Sequence, residues 1–255
     1  MRPIIFSDFD GTISQLDVTD LVLTQLAHPS WREVEQEWAR GLIGSRECLE
    51  RQMALVSAST KELNALVDTV PIDPHFAKFH RFLMRHAFPF YVVSDGFDLF
   101  IRRVLKNAGL NGPLRNGTHL FSSALKGRGG RVEPSFPHAG PPCQHDCATC
   151  KVEIIRQRRR AGSAVIFIGD GLSDRFAAQS ADIVFAKRQL LAYCRENAIA
   201  CRPFETFADI EAELATMLES DGDYPGSAQW SRPKTNLNTE SAKASAASVL
   251  KSFRD

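Results

Sequence analysis

Apolar residues along the chain fall into two patterns. Three are short unbroken runs: Pro3-Ile4-Ile5-Phe6, Phe88-Pro89-Phe90-Tyr91-Val92-Val93 and Ala164-Val165-Ile166-Phe167-Ile168. Runs of this length, apolar at every position, predict strands buried on both faces, as in a parallel sheet. Four others recur at helical spacing: Val18, Leu21, Val22 and Leu26; Val34 and Trp38; Cys48, Leu49, Met53, Leu55 and Val56; Leu63, Leu66 and Val67. Gly41 and Gly44 interrupt these helices, and Pro71 and Pro74 mark the return to the sheet. A further helix is predicted from Lys151 to Arg160. The pattern predicts an α/β chain with a helical insertion after the first strand. From about residue 220 to 255, Ser, Ala, Asn, Lys and Gly dominate, which predicts a flexible tail with a weak helix near 240–253.

Each strand run stops at small and acidic residues. The first ends in Ser7-Asp8-Phe9-Asp10-Gly11-Thr12, the second in Ser94-Asp95-Gly96, the third in Gly169-Asp170-Gly171-Leu172-Ser173-Asp174. In open α/β sheets the C-terminal edge is where ligands bind. Two carboxylates crowded there repel each other unless a cation lies between them, and Mg²⁺ takes one or two carboxylates with other oxygens. Singly, each motif has a plainer reading. Asp-x-Asp-Gly-Thr fits a turn before a capped helix, and Ser94 fits a turn at a strand end. Lys151 fits a solvated lysine, and Asp174 an acid in a first helical turn. The ordered set is more specific than its parts.

Taken in order on strand ends, Asp8 to Thr12, Ser94 to Gly96, Lys151, and Asp170 to Asp174 resemble the haloacid dehalogenase (HAD) superfamily of phosphatases. The cap between the first and second motifs resembles its phosphoserine-phosphatase-like branch. The resemblance implies a HAD-like Rossmannoid core, a three-layer parallel sheet formed by residues 1–13 and 72–219. Residues 14–71 would form the cap and 220–255 the tail. It implies Asp8 as nucleophile through an aspartyl-phosphate, and Asp10 as general acid and then base. Thr12, Ser94 and Gly96 would hold the phosphate, and Lys151 would neutralise the transferring group. Asp8, the carbonyl of Asp10, Asp170 and Asp174 would form the Mg²⁺ site. The carboxylate at position 10 favours ester hydrolysis over dehalogenase or phosphonatase chemistry.

A cysteine-rich loop precedes the lysine: Phe136-Pro137-His138-Ala139-Gly140-Pro141-Pro142-Cys143-Gln144-His145-Asp146-Cys147-Ala148-Thr149-Cys150. Cys143, Cys147 and Cys150 with His138 or His145 fit a Cys₃His zinc site. They fit equally a local disulfide or three thiols. Together with Pro137-His138 and Phe185-Ala186, this loop narrows the resemblance to MtnX-type phosphatases of methionine salvage, which act on 2-hydroxy-3-keto-5-methylthiopentenyl-1-phosphate. Two departures stand out: Asp95 replaces a usual glycine, which puts negative charge near the phosphate unless the side chain points away, and the cysteines are sparser. In phosphoserine phosphatases a cap glutamate and a cap arginine meet the substrate. Here Asp17 stands at the first position and Glu50, with Arg51 beside it, at the second, which disfavours a zwitterionic substrate. A non-catalytic metal-binding or interaction protein is the alternative of another class.

Composition and charge exclude little beyond this. The chain has 255 residues, 44% hydrophobic, enough for a sizeable core. A net charge of +1 gives no electrostatic case for nucleic acid or an acidic membrane. The run Arg156-Gln157-Arg158-Arg159-Arg160 suits a solvated helix C-terminus. No stretch reaches the roughly 20 apolar residues of a membrane span. The N-terminal residues already form the first strand without a signal-peptide pattern, so the reading is cytoplasmic. The expected partner is a small phosphorylated metabolite.

Overall fold

The computed structural model describes residues 2–110, 118–128, 131–140 and 145–220. The apolar runs form β1 (Ile4–Ser7), β2 (Phe90–Phe97) and β5 (Val165–Gly169). The sheet contains four further strands: β3 (Thr118–Arg128), β4 (Arg131–Ser135), β6 (Ile183–Ala186) and β7 (Arg202–Pro203). Their order is β4-β3-β2-β1-β5-β6-β7. All neighbouring pairs are parallel except β3 with β4, so an antiparallel hairpin extends one edge. The chain runs outward from β1 to one side through β2 and β3, then crosses to the other through β5. That reversal puts the tips of β1, β2 and β5 at the topological switch point.

Alternate side chains of the central strands pack on opposite faces. Ile5, Phe90, Val92, Ile166 and Ile168 join one core, and Ile4, Phe6, Tyr91, Val93, Val165 and Phe167 the other. The first core is covered by α5 (Phe76–Arg85), α6 (Asp98–Asn107) and α10 (Phe207–Ser220). The second is covered by α7 (Lys151–Arg158), α8 (Arg175–Ser180) and α9 (Arg188–Glu196). Burial on both faces is why these strands read as unbroken apolar runs.

The insertion comprises α1 (Val18–Leu26), α2 (Trp31–Ala39), α3 (Ser45–Met53) and α4 (Thr60–Val67). Asp17 caps α1 by accepting from the Asp20 backbone N–H at 2.9 Å. Ser59 and Glu62 form a capping box on α4. Its entering and leaving strands run side by side: Ser14 pairs antiparallel with Ile72, and the Gln15 N–H donates to Pro71 at 2.9 Å. Among the described residues no helix is long and apolar enough to cross a membrane. The predicted tail helix near 240–253 lies outside the described residues.

Candidate active site

Four loop tips converge on the C-terminal edge of the sheet. Asp8 ends β1, with its N–H donating to Ile168 at 2.9 Å, which locks its backbone to the tip of β5. Lys151 is the first residue of α7, and its side chain is 4% exposed. Its ammonium donates to Asp8 Oδ1 at 2.9 Å and to Asp174 Oδ1 at 2.6 Å. The second Asp174 oxygen accepts the N–H groups of Asp170 and Gly171 at 3.1 and 3.2 Å. Asp174 therefore shapes the turn after β5 and at the same time orients the lysine.

The Asp10 carboxylate, two residues from Asp8, points elsewhere. Oδ1 accepts the Val18 N–H at the start of α1 at 2.9 Å, and Oδ2 accepts from the Ser94 hydroxyl at 3.3 Å. Ser94 Oγ accepts the Gly96 N–H at 3.0 Å. A Cβ at Gly96 would collide with the Asp10 carboxylate, so the close approach of β2 to the first loop requires glycine there. The Thr12 hydroxyl donates to Asp170 Oδ1 at 2.8 Å and so orients that carboxylate.

The electrostatics follow from this crowding. Burial and then the Asp174 charge push Asp8 well above the usual carboxylate range, while Lys151 pulls it down. Burial raises Asp10, and Asp17 adds to it. Asp170 is raised by burial and then by Asp174, against the pull of Thr12 and Arg188. Burial alone would lower Lys151, but Asp174 and Asp8 outweigh it and keep the ammonium charged. Ligand oxygens of Asp8, Asp170 and Asp174 lie within 4.8 Å of one another. Three buried carboxylates around one lysine leave negative charge that a hard divalent cation matches, and the all-oxygen donor set suits Mg²⁺.

Two basic residues were not singled out in the sequence. Arg188 Nη1 donates to Asp170 Oδ2 at 3.2 Å and to the Gly11 carbonyl at 3.3 Å. Its Nη2 donates to the Gln15 carbonyl at 3.3 Å. Lys187 donates to the Thr12 carbonyl at 3.4 Å. The available signal was Lys187-Arg188 directly after the apolar strand Ile183–Ala186, at the edge where the other strands deliver their polar residues.

Other expected residues sit apart from this group. Asp17 lies at the start of α1, within electrostatic reach of Asp170 and with its charge felt by Asp10. Arg51 is held by Glu37 in a two-pronged pair at 2.6 and 2.9 Å and also reaches Glu47. Asp95 Oδ1 accepts the Thr149 N–H at 2.9 Å, and its charge helps to keep the Lys151 ammonium charged. The zinc expectation finds no support. Cys143 lies outside the described residues, His138 packs edge-on to Phe121, and His145 lies flat on Phe176 with ring centroids 3.7 Å apart. Among the described residues, Asp8, Asp170 and Asp174 are the one group of three or more His, Cys, Asp or Glu that gathers ligand atoms.

Comparison with known proteins agrees with this geometry. The model of the haloacid dehalogenase-like hydrolases matches residues 5–179. The 2-hydroxy-3-keto-5-methylthiopentenyl-1-phosphate phosphatase of Bacillus mycoides is 32% identical over 218 residues, 84% of this chain and 97% of the relative. The enzyme of the same name from an Exiguobacterium species is 32% identical over 213 residues, 82% of this chain and 96% of its own. A phosphoserine phosphatase solved as a phospho-aspartyl intermediate analogue superposes with a TM-score of 0.60 at 16% identity, covering 83% of this chain and 98% of its own. A HAD family hydrolase from Salmonella enterica serovar Typhi gives 0.63 at 20% identity, covering 87% and 72%. The fold is theirs, and the buried lysine and carboxylates stand at the sheet edge as the sequence motifs require. This chain belongs to the haloacid dehalogenase-like hydrolases and is a phosphatase.

Proposed function

We propose that the chain hydrolyses 2-hydroxy-3-keto-5-methylthiopentenyl-1-phosphate, a small phosphorylated metabolite, with Mg²⁺ bound. The observation that carries the chemistry is the division of labour between Asp8 and Asp10. Asp8 is held by the Lys151 ammonium, which favours the anionic nucleophile against the burial and the Asp174 charge that raise its carboxyl. Asp10 touches a helix N-terminus and a hydroxyl instead, and burial, with the Asp17 charge after it, pushes its carboxyl above the usual range despite those two hydrogen bonds. A protonated Asp10 donates to the leaving alcohol; once deprotonated it takes a proton from the water that cleaves the aspartyl-phosphate. Lys151 offsets charge as the phosphoryl group passes to Asp8. Gly96 and Ser94 supply a backbone N–H and a hydroxyl on the facing loop. Asp8, Asp170 and Asp174 would hold Mg²⁺, which supplies Lewis-acid charge neutralisation of the phosphoryl oxygens.

The substrate follows from the relatives and from the insertion, residues 14–71, which acts as a cap. Two of its acidic side chains, Asp17 and Asp20, interact electrostatically with Asp10. Asp17 keeps contact with solvent, yet the protein around it shields the carboxyl from bulk water, and with Asp20 alongside it is pushed up to about 7. Burial and then Glu35 push Asp20 to about 6. A free carboxylate on the substrate would be repelled there, and Arg51 is engaged by Glu37 rather than free to meet it. This disfavours phosphoserine and suits a neutral hydroxy-keto chain. A purified-protein assay against a phosphometabolite panel with Mg²⁺ tests the assignment. Turnover of the hydroxy-keto phosphate well above phosphoserine is expected; a preference for phosphoserine would overturn it.

A further inference from the structure

Asp95 occupies the position where the sequence raised an electrostatic objection, and the structure gives it other partners. Its carboxylate accepts the Thr149 N–H at 2.9 Å, two residues before Lys151. Ser45 lies close enough for its hydroxyl to lower the Asp95 carboxyl, against the burial that raises it. Ser45 is the first residue of α3, part of the insertion, and its Oγ accepts the Ala148 N–H at 2.9 Å. Adjacent amides of one loop are thus held by two side chains, one from the sheet and one from the cap.

The neighbouring contacts point the same way. The Arg46 N–H donates to the Asp146 carbonyl at 3.1 Å, and its guanidinium pairs with the Asp146 carboxylate at 2.7 Å. A Cβ on Gly44 would collide with Asp146, so only glycine lets the start of α3 sit this close to the loop. On the sheet side the Ser123 hydroxyl donates to the Asp95 carbonyl at 2.8 Å, which fixes the backbone that carries the carboxylate. The loop then passes directly into α7. The Lys151 N–H donates to Thr149 at 2.8 Å, and the side chain spans to Asp8 and Asp174.

We propose that Asp95 and Ser45 form a joint that sets Lys151, so that the lysine is correctly placed only when the cap is seated on the sheet. Asp95 and Ser45 are positioning residues here, because neither touches the reacting atoms. The coupling has a physical use. Lys151 balances charge on the phosphoryl group, and a lysine held loosely until the cap docks ties charge neutralisation to exclusion of water. The inference rests on the phosphatase reading of the site but not on the identity of the substrate.

The test uses the full chain with Mg²⁺ and p-nitrophenyl phosphate, with hydrogen exchange read peptide by peptide. Asp95→Ala should lower kcat by about tenfold to a hundredfold, the scale of a misplaced catalytic group. KM should change less than about threefold, because the lost interaction acts mainly in the transition state. Asp95→Asn keeps an acceptor oxygen for the Thr149 N–H and should recover most of kcat. Ser45→Ala should fall in the same direction by less, and adding it to Asp95→Ala should cost little more. Faster exchange should be confined to residues 145–151 in the slow variants. Wild-type kcat in Asp95→Ala, an Asp95→Asn as slow as Asp95→Ala, or faster exchange throughout the chain would each overturn the joint. If Asp95→Ala does not fold, Ser45→Ala carries the test alone: a lower kcat with local exchange supports the joint, and no change overturns it. Absence of turnover in the wild type would count against the phosphatase reading instead, while the exchange measurements would still report on the joint.

Discussion

Two groups of carboxylates that feel each other's charge differ in their partners. Around Lys151, Asp8 and Asp174 each have the ammonium as partner, and the remaining Asp174 oxygen takes two backbone N–H groups. At the start of the insertion, Asp17 and Asp20 are left facing Asp10, Asp170 and Glu35, and their carboxyls rise to about 7 and about 6. The difference teaches what each region accepts. The first, with a lysine inside it and a cation-sized gathering of oxygens, is built around a group that is itself an anion, the phosphate. The second has no such cation among the contacts that shift it, and on the proposed reading it disfavours substrates carrying a second negative charge.

The comparison breaks most sharply at Asp8. Asp8→Asn removes the nucleophile while keeping its size, and turnover should fall to background in protein that still melts cooperatively; a variant with wild-type turnover would end the covalent reading. Removing the cation should act nearly as strongly. Excess chelator should abolish hydrolysis, Mg²⁺ should restore it, and Ca²⁺ should restore it poorly because it prefers more ligands at longer distances. Full activity in excess chelator would contradict the charge balance drawn for Asp8, Asp170 and Asp174.

Asp10→Asn should cost roughly 10²–10⁴-fold in kcat, the scale of a lost general acid and base. The loss should shrink for substrates with better leaving groups, which need less protonation. The smallest effect concerns the second group. Asp10 acts as an acid only while protonated, so its activity is lost as pH rises through its pKa. Burial raises that pKa first, and the Asp17 charge raises it further. Asp17→Asn preserves the helix cap but deletes the charge, so Asp10 should titrate lower. The alkaline limb of kcat should therefore move to lower pH, and a limb that stays in place would show that Asp17 does not act on Asp10.

Much of this was legible in the chain because the information is local. Unbroken apolar runs give strands buried on both faces, and a polar residue just after such a run lies at a strand tip whatever else the chain does. Hence Asp8, Asp10, Ser94, Asp170 and Asp174 were placed at one edge before any coordinates. Lys151 arrives by a different route, at a helix start, and only its order in the motif set singled it out. The hairpin of β3 and β4 was not anticipated. Thr118–Arg128 mixes polar and apolar residues without a clean alternation, and its strand character comes from pairing with β2 and β4, far away in sequence.

Side-chain direction was the other missing quantity. In the sequence Asp95 put negative charge near the phosphate unless it pointed away; in the fold its carboxylate accepts the Thr149 N–H. Thr12 was placed among the phosphate contacts, and its hydroxyl is directed to Asp170. Arg188 was not singled out in the sequence, and the packing of α9 brings it to Gly11, Gln15 and Asp170. What the sequence by itself determined was which residues reach the reactive edge, because hydrophobic period and strand ends are properties of neighbouring residues. Which partners Asp8, Thr12 and Lys151 take was decided by tertiary structure, because a carboxylate, a hydroxyl or an ammonium bonds to the donors and acceptors that folding brings within about 3 Å, and for these three they lie on segments far away in sequence.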